Sequence, residues 1–116
     1  MHEIITLDEW NNLFRGMSEK EKVFTREELE SFPGKTNAGS LAGRYLIKML
    51  IFKYLKIKGD MNQVEILNDE LGKPVLKLSD FMKQRCDERD IHTIHCSISH
   101  SRKRIVGMIV VEPVVR

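Results

Sequence analysis

The sequence predicts a single α+β domain, and three observations carry that expectation. Segments whose apolar residues recur at helical spacing alternate with short runs of strand character. No linker, repeat or low-complexity tract divides them. The 116 residues fit one domain, since single domains cluster at roughly 100 to 150 residues.

The elements follow in order. Ile4 and Ile5 suit a short first strand, and Thr6-Leu7-Asp8-Glu9 has the spacing in which a hydroxyl and a carboxylate satisfy each other's backbone donors at a helix start. A first helix therefore runs from about Leu7 toward Phe14, with Trp10, Leu13 and Phe14 on one stripe. The same box at Thr25-Arg26-Glu27-Glu28 opens a short helix that ends before Pro33-Gly34. Turn-forming residues between Phe32 and Ser40 predict a loop. Leu41, Tyr45, Met49, Phe52 and Leu55 recur at helical spacing, which predicts the longest helix over Leu41 to Ile57 with Gly59 as its stop. Val64 to Leu67 and Val75 to Leu78 flank Asn68-Asp69-Glu70-Leu71-Gly72-Lys73-Pro74, which reads as two strands and a loop. Ser79 and Asp80 cap a helix reaching about Arg89. Thr93 to Ser99 alternates as a strand, Ser101 to Arg104 reads as an exposed turn, Ile105 to Val111 as a buried strand, and Pro113 as its end.

Composition excludes several classes of function. Nineteen Lys and Arg residues against 17 acids give a net charge of +2, too balanced for a dedicated nucleic-acid binder. The most apolar stretch, Tyr45 to Leu55, is broken by Lys48 and Lys53 and falls short of the roughly 20 apolar residues of a membrane span. The first residues, MHEIITLDEW, lack the pattern of a secretory signal, and two cysteines make no disulfide framework, so a reducing cytoplasm is expected. Cys86, His92, His95, Cys96 and His100 raise the question of zinc, but strand alternation sends His92 and His95 to opposite faces and no Cys-x-x-Cys pair exists. Neither Ser97 nor Ser99 sits in a Gly-x-Ser-x-Gly elbow. The basic turn Arg102-Lys103-Arg104 reads either as a solvated tip or as a contact for an acidic protein.

Four segments carry a family resemblance: Phe24-Thr25-Arg26-Glu27-Glu28-Leu29, Leu41-Ala42-Gly43-Arg44-Tyr45-Leu46-Ile47-Lys48, Asn62 to Pro74, and His95-Cys96-Ser97-Ile98-Ser99-His100-Ser101. In this order and spacing they resemble the holo-acyl-carrier-protein synthases, the small class of 4'-phosphopantetheinyl transferases, over most of residues 24 to 112. The resemblance implies an α+β fold that assembles as a homotrimer with active sites between subunits. It also implies a reaction in which a serine hydroxyl of an acyl carrier protein attacks the β-phosphate of coenzyme A, so that the phosphopantetheine arm moves and adenosine 3',5'-bisphosphate leaves. Phosphoryl transfer spreads charge over oxygens and depends on positioning, cations and Mg²⁺. By resemblance Arg44, Lys48, Lys53 and His95 bind coenzyme A, and Arg15 and Arg26, with Lys22 and Lys35, lie in the carrier-facing region.

The departures fall at the chemistry. Where the family's long helix has Lys-Glu-Ala, with the Glu on Mg²⁺, this chain has Lys48-Met49-Leu50, and a neutral thioether cannot replace a hard oxygen ligand. The family's second metal ligand, an Asp after the first strand, has Asp8 as its only counterpart, which the capping box places in a helical first turn; as a ligand or as a solvated acid favouring the helix dipole, it stays open. The Gly-rich loop after the long helix is reduced to Lys56-Ile57-Lys58-Gly59-Asp60. Two readings follow: a transferase holding Mg²⁺ through one carboxylate, water and substrate phosphate, or a catalytically impaired member that binds coenzyme A, a carrier protein or an active paralogue.

Overall fold

The structure, a computed structural model, describes residues 1–32 and 38–115. Strand β1 (His2–Thr6) leads directly into α1 (Leu7–Gly16), and α2 (Arg26–Ser31) follows a single 3₁₀ turn at Lys20–Lys22. Both helices start at the predicted boxes: Thr6 accepts from the Glu9 N–H while Glu9 accepts from the Thr6 N–H, and Thr25 and Glu28 do the same. Helix α3 (Ala38–Leu55), the hairpin strands β2 (Val64–Asn68) and β3 (Pro74–Leu78), α4 (Asp80–Glu88), β4 (Ile91–His100) and β5 (Arg104–Pro113) complete the chain.

Two antiparallel sheets result, one ordered β1-β5-β4 and one formed by β2 and β3. Helix α3 lies across the larger sheet at close range. A Cβ at Gly43 would strike the Ile98 side chain, and one at Gly107 would come within 2.8 Å of Leu46 Cβ, so glycine at both positions lets helix and sheet backbones approach. One core cluster gathers Ile47, Leu50, Ile51 and Leu55 of α3 with Val64, Ile66, Met82, Ile94 and Ile109. The second gathers Leu41, Ala42 and Leu46 with Trp10, Phe24 and Phe32, where Trp10 packs against Phe14, Phe24 and Tyr45 at ring distances of 5.3–6.2 Å.

Three expectations need revision. Helix α3 begins at Ala38, within the span expected as loop, whose residues 33–37 lie outside the described residues. It ends at Leu55, and Gly59 is not its stop. Lys56 takes a left-handed conformation (φ 54°), which lets the Lys56 N–H reach Lys53 O at 3.2 Å and the Ile57 N–H reach Phe52 O at 3.1 Å. That closure satisfies the last carbonyls, and Ile57 packs against the core beside it. Strand β5 is buried on one face only: Ile105, Gly107 and Ile109 face α3, while Met108 and Val110 are 43% and 56% exposed. With Ile4 of β1, also 53% exposed, they form an apolar stripe on the open face of the sheet.

Candidate active site

The expected site residues on α3 lie on successive turns, and the fold treats them differently. Arg44 is almost wholly buried. Its Nε donates to Ile66 O at 2.7 Å, its Nη2 donates to Asn68 Oδ1 at 2.7 Å, and its guanidinium lies 3.7 Å from the centre of the Phe32 ring. Lys48 has no exposed surface. Its ammonium donates to Glu28 Oε1 at 2.6 Å and Val23 O at 2.8 Å, with the Phe24 ring 5.1 Å away. Burial lowers the pKa of both groups from their ordinary values, against the opposing pull of Glu28.

Glu28 makes this arrangement possible. The same carboxylate caps α2 through the Thr25 N–H, receives Lys48, and accepts from the Ile66 N–H at 2.9 Å. Since Arg44 holds the Ile66 carbonyl, both sides of one β2 peptide are fixed by charged groups, and α2, α3 and β2 are tied together. In the sequence Glu28 is fully accounted for as the last residue of a capping box. Nothing in that local pattern signals that its outer oxygen meets residues 20 and 38 positions away.

Lys53 is the α3 cation that reaches solvent: its side chain is 66% exposed, with its ammonium 3.9 Å from Glu3 Oε1 of β1. His95 lies elsewhere. Ile94, Cys96 and Ile98 face the core, so alternation sends His95 to the open face of the sheet, where its Nε2 is 2.9 Å from Glu112 Oε2. The hydrogen bond from His95 holds Glu112 below the usual carboxylate range. Within one subunit the sheet therefore separates His95 from Arg44, Lys48 and Lys53. Asp8 is exposed in the first turn of α1, Arg15 is exposed in its last turn, and Arg26, 91% exposed, pairs with Glu30 at 2.9 Å.

Mg²⁺ finds no matching donor set here. Met49 is half-buried against the Trp10 and Phe24 cluster, on which Ile5 and Tyr45 also pack, so its surroundings are apolar as well as its own thioether soft. Among the described residues no group of three His, Cys, Asp or Glu side chains could hold a metal ion.

With this geometry in place, comparison with known proteins decides the family. The chain is 33% identical over 95 residues to the holo-(acyl-carrier-protein) synthase of Clostridium novyi, covering 78% of this chain and 69% of that one. The chain belongs to the holo-acyl-carrier-protein synthase family. Among solved structures of synthases, that of Neisseria meningitidis superposes with a TM-score of 0.78 at 25% identity, covering 96% of this chain and 94% of that one. The Bacillus anthracis synthase, solved in complex with coenzyme A (3',5'-ADP), gives a TM-score of 0.72 at 25% identity, covering 97% and 93%. No family model matches the chain. The synthase fold thus brings the expected α+β architecture, and no helix among the described residues is long and apolar enough to cross a membrane.

Proposed function

We propose that the protein transfers 4'-phosphopantetheine from coenzyme A to a serine of an acyl carrier protein. The observation that carries this reading is the resemblance in sequence and fold across nearly the whole chain to holo-acyl-carrier-protein synthases. Coenzyme A in the related Bacillus anthracis structure supports it as the substrate. In this reading Lys53 and His95 are the contacts for substrate phosphate, because their polar ends reach solvent. Arg44 and Lys48 act mainly by holding α2, α3 and β2 in place. Arg15 and Arg26 present exposed positive charge to an acidic carrier.

The protein acts as a homotrimer in this reading. The sheet separates His95 from Lys53 within one chain, so a site using both draws His95 from one copy and Lys53 from its neighbour. The apolar stripe of Ile4, Met108 and Val110 gives such copies a surface to bury. The cytoplasm, which supplies coenzyme A and keeps Cys86 and Cys96 reduced, is the implied compartment.

Met49 favours a second reading, in which the fold is retained for binding coenzyme A, a carrier or an active paralogue after catalysis was lost. Intact-mass measurement of an unmodified carrier, incubated with the protein, coenzyme A and Mg²⁺, separates the two. A mass gain of one phosphopantetheine group establishes transfer. An unchanged carrier mass, alongside measurable coenzyme A binding, establishes the second reading.

A further inference from the structure

The inference concerns how the proposed coenzyme A site meets a diphosphate, and it rests on the reading above. Mg²⁺ demands oxygen ligands in a nearly octahedral shell. The surface between β1 and α3 offers no such shell. Met49 and Ile5 pack on the aromatic core at this place, Asp8 projects from the first turn of α1, and no three metal-ligating side chains converge among the described residues.

What the surface offers instead is positive charge. Lys53 lies one helical turn beyond Met49, on the same side of α3, and its ammonium is exposed. At 3.9 Å, Glu3 attracts that ammonium without hydrogen bonding to it, which leaves the ammonium's donors available to a phosphate oxygen. Lys56 and Lys58 follow on the exposed segment after the helix and add to the local positive field. We propose that this chain binds the diphosphate of coenzyme A without a divalent cation, with Lys53 supplying the charge that a metal ion would otherwise bring.

Isothermal titration of the full-length protein with coenzyme A, once with magnesium chloride and once with EDTA, tests this directly. The expected result is a Kd equal within about twofold in the two conditions, and a loss of about tenfold or more in Lys53→Ala in both, the scale of one charge-assisted contact. Lys53 is exposed, so the variant should fold, which circular dichroism checks. Binding tighter by more than about tenfold in Mg²⁺ would overturn the inference and leave the assignment to coenzyme A intact. An unchanged Kd in Lys53→Ala would overturn it as well. No binding in either condition would overturn both the inference and the reading on which it rests.

Discussion

Replacing Lys48 by Met tests the central structural argument, that this lysine spends its charge inside the fold. Methionine keeps much of the side-chain volume but removes the ammonium, leaving Glu28 ionised and buried with only the Thr25 and Ile66 N–H groups as donors. Breaking a fully buried ion pair by removing one partner costs about 3–5 kcal/mol, because the remaining charge is uncompensated. Against a total stability of about 5–15 kcal/mol for a domain, this is a large fraction. Pairing it with Glu28→Gln removes the stranded charge, so the double variant should lose about 2–4 kcal/mol less than the sum of the single losses. Urea unfolding followed by Trp10 fluorescence reports the result, since Trp10 is the single tryptophan and only 1% exposed in the fold. The urea midpoint of Lys48→Met should fall by roughly 2 M with an unchanged slope, taking a slope near 2 kcal/mol/M. A loss below about 1 kcal/mol, with additive effects in the double variant, would refute the buried-pair reasoning and return Lys48 to the list of phosphate contacts.

Further outcomes follow from the same geometry. Gly107→Ala should destabilise the fold by about 1–3 kcal/mol, because its new methyl meets Leu46 Cβ at 2.8 Å; thermal unfolding measures this. Val110→Glu places a charge in the apolar stripe and should shift the protein toward monomer in light scattering, while circular dichroism stays unchanged. Glu112 has a depressed folded pKa, so its pairing with His95 contributes above the ordinary glutamate range and is lost as pH falls through that lowered value. Carbon-detected NMR titration should show the depressed midpoint, and His95→Ala should return it toward that of a free glutamate.

The sequence alone determined the local structure and the family. Two capping boxes placed the starts of α1 and α2 because each is a short-range exchange of hydrogen bonds within four residues. Apolar spacing found α3, the Asn68 to Pro74 loop found the β2–β3 hairpin, and ordered motifs found the synthase family. Met49 was also legible, since the absence of a carboxylate is a fact of residue identity.

Only the tertiary structure decided how each charge is used. Lys48 and Lys53 look alike in the sequence, both interrupting one apolar helix, yet α2 and β2 enclose the first while the second faces solvent. Glu28 serves as a local cap and as the buried counter-ion of Lys48, and the second role depends on a residue 20 positions away. His95 and the basic residues of α3 share a motif set but stand on opposite sides of a sheet. These outcomes follow from burial and long-range contact, which depend on what packs over a residue, whereas periodicity records only which face it occupies.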